Sequence, residues 1–285
     1  MPPYFPVPCL RVLGLAFAAL LVAGGGVARA ETTFRVEPVL YLPRLIGDVQ
    51  IDGTGGPGTF TTVDDGLGLG DLEASPGLTV EADFRNGWGV VATGFMFSTE
   101  AKETYDRASS VRLGDLTLRR GDAYRIDWDE WSAGLEVRGP VLLSNHTFLE
   151  SPPAGDPLLT IRPVLGVRYV DIDVDVRIEG AGRLETGGSW VMPQAGGLLT
   201  LWRRFREPWL GVVTAVYGEA TLTAGPAFSD ATGWGAHIRT GVRVTLWERV
   251  GVQFGYQLVH VNASDDEFDR EGGPQGLFLG ASIEF

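Results

Sequence analysis

Gly-Leu-Phe-Leu-Gly-Ala-Ser-Ile-Glu-Phe, residues 276–285, is the stretch on which the fold turns. Leu277, Leu279, Ala281, Ile283 and Phe285 fall on alternate positions, with Phe278, Gly280, Ser282 and Glu284 between them. A repeat of two is the period of a β-strand, whose side chains point to opposite faces in turn. Working back along the chain, the same pattern recurs. Residues 234–246 set Trp234, Ala236, Ile238, Thr240, Val242, Val244 and Leu246 against Gly235, His237, Arg239, Gly241, Arg243 and Thr245. Residues 252–258 set Val252, Phe254, Tyr256 and Leu258 against Gln253, Gly255 and Gln257, and 78–84 set Leu78, Val80, Ala82 and Phe84 against Thr79, Glu81 and Asp83. A soluble β-sandwich also alternates, so alternation alone does not say which face looks outward.

Ten strand candidates emerge, near 33–42, 78–85, 88–98, 124–138, 159–178, 184–202, 209–220, 233–247, 251–261 and 276–285. Connections alternate between tight turns (Asn86-Gly87, 203–208, 248–250) and longer polar or glycine-rich segments (43–77, 99–123, 221–232, 262–275). The long connection 139–158 falls on the tight-turn side, which leaves eight or twelve strands as alternatives. No composition break divides the chain, so one all-β, antiparallel, up-and-down domain is expected. The Asn86-Gly87 pair predicts a two-residue hairpin with Arg85 opposite Trp88. That register places Val91, Phe95 and Phe97 on the face of Phe84. Pro38 and Pro193 interrupt strands and are expected at bulges.

Residues 1–30 read as a secretory signal: Arg11 gives positive charge, Val12 to Val27 is apolar, and Ala28-Arg29-Ala30 is a small-x-small cleavage site before Glu31. The apolar run is shorter than the roughly 20 residues of a spanning helix. Cleavage leaves 31–285 as the mature domain. It also removes two of the 23 basic residues against 36 acids, so the mature charge is (23 − 2) − 36 = −15. The single Cys9 leaves too, and with it thiol nucleophiles and thiolate metal sites. Such acidity argues against nucleic acid as a partner. If the mature chain crosses a membrane it does so as a closed barrel, because lipid leaves no partner for an open sheet edge.

The alternation of Leu277, Leu279, Ala281 and Ile283 ending on Phe285 resembles the C-terminal signal of bacterial outer-membrane β-barrels. That resemblance implies location in the bacterial outer membrane, lipid and lipopolysaccharide as surroundings, and recognition by the barrel-assembly machinery. The second half also resembles a group of mostly uncharacterised outer-membrane proteins. It does so through Trp190-Val191-Met192-Pro193, Trp234 to Val244, Gly255-Tyr256-Gln257 and Gly276 to Phe285, with Met192 where an Asp is expected. On this reading short turns are periplasmic and long loops extracellular. Aromatics near strand ends then form two girdles: Trp88, Trp202, Phe205, Trp209, Trp247 and Phe285 on one side, and Tyr41, Phe97, Trp131, Tyr169, Trp190, Tyr217 and Trp234 on the other.

Function in such a barrel lies on the inner face. Parity places Glu81, Asp83, Glu130, Glu136, Arg162, Arg168, Arg239, Arg243, Gln253 and Gln257 there. An antiparallel register with a constant index sum sets Glu136 opposite Arg162 and Glu130 opposite Arg168, two ion pairs across neighbouring strands. The same register lets Tyr124, Ile126 and Trp128 turn inward above the bilayer while Asp127, Asp129, Asp171, Asp173 and Asp175 turn out. A projecting hairpin with a small apolar core is therefore expected. His237 points inward and His260 outward, without the His–Ser or His–acid spacing of a hydrolase. The acidic loops carry no calcium-loop spacing, so neither metal nor cofactor is expected. The expectation is a non-enzymatic barrel with a plugged lumen and a structural or surface-interaction role. A narrow channel for small solutes is the alternative, and a hydrolase a more distant one.

Overall fold

A computed structural model describes residues 32–145, 156–229, 232–247, 249–265 and 267–285. The signal-peptide reading lies outside these residues. Ten long strands run β1 (Thr33–Ile51), β2 (Ser75–Asp83), β3 (Gly89–Thr104), β4 (Ala123–Arg138), β5 (Leu158–Ile178), β6 (Gly182–Trp209), β7 (Val213–Phe228), β8 (Thr232–Leu246), β9 (Val250–Asp265) and β10 (Phe268–Glu284). Each pairs antiparallel with the next, and β1 pairs with β10, which closes the ring. Two short pieces join the same sheet: Thr61–Thr62 on β1 and Leu143–Ser144 on β5. From Ala224 on β7, partners followed one way reach β1 at Phe34; the same registers followed the other way reach it at Ile46. This stagger is what tilted strands require to close a barrel.

The two faces separate as lipid demands. Leu40, Leu78, Met96, Leu135, Leu165, Val191, Leu199, Leu222, Val242, Phe254, Leu277 and Leu279 are exposed around the outside. Alternate positions on the same strands are buried and largely polar: Glu37, Glu81, Glu136, Arg168, His237, Arg243 and Gln253. Polar-in and apolar-out is the reverse of a soluble sandwich and marks a transmembrane barrel. Leu277, Leu279, Ala281, Ile283 and Phe285 all lie on the outer face. At the base Phe285 and Phe34 exchange backbone bonds, the Phe285 N–H donating to Phe34 O at 2.8 Å and the Phe34 N–H to Phe285 O at 3.2 Å.

Several sequence expectations change. The β2–β3 turn is a three-residue loop in which Gly87 adopts φ 82° and donates to Phe84 O at 2.9 Å. That is a type I turn finished by a left-handed glycine. The register slips by one residue, Ala82 opposing Val90. A one-residue slip exchanges faces, so Val91, Phe95 and Phe97 point into the lumen and Val90 and Met96 to lipid. Pro38 and Pro193 cause no bulge. Pro38 leaves a gap in the ladder to β10 and Pro193 one in the ladder to β7, and each register resumes unchanged.

The expected loops are mostly strand. β1 continues to Ile51, β9 to Asp265, and β10 begins at Phe268. Above the levels where β2 and β7 end, the ring divides. The upper parts of β3 to β6 form one sheet and those of β9, β10 and β1 another. One buried cluster joins Leu45, Val49, Ile51, Val261 and Phe268 to Ile126, Trp128, Ile172, Val174, Val176 and Trp190. The projecting hairpin thus has no separate core; it is half of a sandwich-like head. Leu67 and Leu69 of the β1–β2 connection and Leu113 and Leu118 of the β3–β4 connection complete that core. Their segments are tied in by Gly114 N–H to Ile51 O at 2.8 Å and Tyr124 Oη–H to Leu67 O at 3.2 Å.

Candidate functional site: the closed lumen and the head above it

The β4–β5 register is not the one that opposes like with unlike. Glu136 lies opposite Gly166, Gly134 opposite Arg168, and Glu130 opposite Ile172. The pairs Glu136–Arg162 and Glu130–Arg168 therefore do not form across these strands. The physical reason is room. A Cβ on Gly134 would stand 2.9 Å from Arg168 Nη2, and one on Gly166 would stand 3.1 Å from Glu136 Cγ. Long charged side chains lie over glycines and reach across the lumen instead of pairing side by side.

Three tiers of contacts result. At the base Glu81 binds both Arg35 and Arg138, the latter at 2.5 Å. Arg162 donates to Gly87 O at 2.7 Å and Gly139 O at 2.9 Å, and lies 3.3 Å from Asp83. Arg243 sits 3.6 Å from Glu219 and over the Tyr217 ring. In the middle Arg239 bonds Glu37 at 2.7 Å and Thr79 at 2.8 Å. Gln253 faces Glu37, its amide nitrogen donating at 2.7 and 2.9 Å once the amide is oriented to suit. Glu136 lies 3.4 Å from His237 and 3.7 Å from Arg168, and Arg168 donates to Ser132 at 3.0 Å. At the top Arg270 meets Glu130 at 2.9 Å and covers Trp128. Gln257 is partly buried and inward on β9, its backbone carbonyl accepting from Tyr41 Oη at 2.9 Å.

Arg35, Glu37, Arg138, Glu219 and Arg270 belong to this network and escaped sequence reading. Arg35 and Glu37 alternate with Val36 and Pro38, a signal that Pro38 masked. Arg270 sits in a segment read as loop. Between the tiers a cavity bounded by Arg35, Glu136, Arg138, His237 and Arg239 leaves about 20 Å³ for the centre of a water-sized sphere. That is room for one or two waters. Above Glu130 the passage is filled by the head's apolar core. Among the described residues no group of three His, Cys, Asp or Glu is placed to hold a metal. His260 lies on the outer face against Trp234, ring centroids 4.8 Å apart.

Aromatics also sort by face. Trp131 and Tyr169 touch on the outer surface, ring centroids 4.9 Å apart. Trp88, Trp209 and Trp247 are exposed on the turn side. Trp190, Tyr41 and Phe97 are buried inside, and Trp202 stacks on Tyr217 at the inner base, so these five leave the expected girdles. Above Trp131 and Tyr169 the outer face of β4 and β5 turns acidic. Asp129 opposes Asp173 and Asp127 opposes Asp175. Arg183 and Arg177 hydrogen-bond Asp175 and hold its carboxyl down to about 2. Asp173 is raised by partial burial and by neighbouring Asp171 and Asp129.

A closed ten-strand ring with an apolar exterior and a polar interior defines the class: this is an outer-membrane β-barrel protein, and it resides in the bacterial outer membrane. No family model and no curated protein sequence matches the chain. Solved structures of similar fold include the outer-membrane protease OmpT from Escherichia coli, at 10% identity, TM-score 0.47, covering 91% of this chain and 99% of that one. Others are Ail, the attachment invasion locus protein of Yersinia pestis, in complex with a heparin analogue (11%, 0.33, 90% and 99%), and the transport unit of the autotransporter AIDA-I from Escherichia coli (10%, 0.36, 95% and 97%).

Proposed function

We propose that this barrel does not conduct, and serves as a closed membrane mount that presents its two-sheet head for interaction at the cell surface. The observation that carries this reading is the double closure of the passage. Ion pairs and hydrogen bonds cross the lumen in three tiers, and the apolar core of the head blocks what lies above them. Opening a path means breaking buried pairs and exposing Trp128, Trp190 and Phe268 to water, two costs of different kind. Catalysis has no foothold in this reading: His237 is sealed within the network and His260 faces the membrane. The chain's surroundings are outer-membrane lipid along the apolar band and lipopolysaccharide beside the lower head. The assembly machinery reads the strand ending at Phe285. Planar-bilayer recording on the purified protein tests the central point. Silence at all voltages is expected; stepwise conductance would overturn it in favour of a narrow solute channel.

A further inference from the structure

Near the foot of the lumen two guanidiniums share one carboxylate. Glu81 binds Arg35 and Arg138 together. Asp83, two residues on along β2, faces Arg162 instead, at 3.3 Å. Glu284, opposite Arg35 on β10, is part-exposed at the barrel's mouth and pairs with neither guanidinium. The cavity between the tiers is lined by five charged side chains: Arg35, Arg138, Arg239, Glu136 and Glu219. Their ion-pair partners are Glu81, Glu37, Arg168 and Arg243. Five guanidiniums thus stand against four carboxylates, which leaves one positive charge unmatched around a buried space.

Hydrogen-bond donors are in excess there as well. Arg35 and Arg138 each leave Nε–H without a partner, and their side chains are 10% and 9% exposed. His237 Nδ1 lies 3.1 Å from Arg168 Nη2. A guanidinium only donates, so Nδ1 accepts and the ring carries its proton on Nε2. That N–H is unpartnered too. Thr79 and Thr93, also on the cavity wall, accept from Arg239 and Arg168, which frees their own hydroxyl protons. Glu136 Oε1 lacks a hydrogen bond, but it stands 3.7 Å from Arg168, charge against charge.

We propose that this cavity is a binding site for a single chloride ion. Water satisfies stray donors but does not cancel a buried charge, whose isolation is costly. A halide does both, since it accepts from several N–H and O–H groups at once and carries the missing negative charge. About 20 Å³ for the centre of a water-sized sphere takes a monatomic ion and leaves no room for sulfate, phosphate or a carboxylate. The surplus positive charge turns cations away. Chloride then acts as a counter-ion that completes the plug, holding Arg35 and Arg138 on β1 and β4 against His237 on β8.

The folded mature protein in detergent is melted at one ionic strength in sodium chloride, sodium bromide or sodium gluconate. Chloride and bromide should each raise the melting temperature by a few degrees over gluconate, and the rise should saturate as a single site fills. Crystals grown in bromide should show an anomalous peak between Arg35, Arg138 and His237. Arg138→Gln leaves Arg35 alone with Glu81 and so balances the charge; this variant should melt alike in all three salts and lose the peak. Should it not fold, Arg35→Gln removes the same charge from the other strand and decides in its place. Wild type that melts alike in chloride and gluconate would overturn the proposal, as would a bromide crystal with water only in the cavity. A balanced variant that keeps the full chloride response would overturn it too. Neither readout depends on current through the barrel, so the site and the closed lumen stand or fall separately.

Discussion

At the scale of single residues, charge in this molecule works differently inside and outside the membrane. Glu130 and Arg270 are 0% and 2% exposed in their side chains and face each other under Trp128. Removing one strands the other without water. Glu130→Leu should therefore cost about 3–5 kcal/mol, and Glu130→Leu/Arg270→Met should recover most of it; urea unfolding in micelles measures both. On the outer face of the head the balance runs the other way. Asp173 opposes Asp129, and like charges directly across a strand pair repel. Its carboxyl holds its proton more tightly in the folded chain than in the unfolded one. Ionisation at neutral pH therefore works against folding, and that penalty fades as pH falls below the ordinary carboxylate value of about 3.9. Asp173→Asn should raise the melting temperature at pH 7 and leave it unchanged at pH 3. Asp175 has the opposite sign: its contribution is present above the ordinary value and is lost as pH drops toward about 2.

At the scale of elements, turn chemistry and alternation reveal different things. Gly87 at φ 82° ends the β2–β3 turn, and a Cβ there would meet only Pro140, at 3.6 Å or more. The cost of Gly87→Ala is then conformational alone, about 1–2 kcal/mol, readable as a lower unfolding midpoint. Alternation located all ten strands and gave the correct inner face for β2, β4, β5, β8 and β9. It did not give β3 its face, because Asn86-Gly87 fits both a two-residue and a three-residue loop, and the choice between them reverses the strand. It did not give the β4–β5 register either. No tight turn pins these strands, and opposing unlike charges is a weaker constraint than the need of Arg168 for the space over Gly134. The upper strands resemble loops in sequence because their outer faces carry Asp and Glu in water, where polar residues no longer distinguish a strand from a coil.

At the scale of the whole molecule, one continuous wall passes through two solvents, and its inside changes character where its outside does. In the bilayer the exterior is apolar and the lumen is salt-bridged; above it the exterior is charged and the interior is a hydrocarbon core. The wall is closed at its base by its own two ends, Phe34 and Phe285. A ring whose ends touch has no obligatory first strand. A circular permutant that links Phe285 to Thr32 through a short flexible tether and opens after Trp247 would lose no long ladder. It would also end without the assembly pattern, since Thr245 and Arg243 would stand where Ile283 and Ala281 stand now. Such a chain is expected to refold from urea into a barrel that migrates fast on unheated gels, and yet fail to accumulate in the outer membrane of cells. Accumulation at normal levels would mean that closing the ring, and not the order in which its strands are read, is all that export demands.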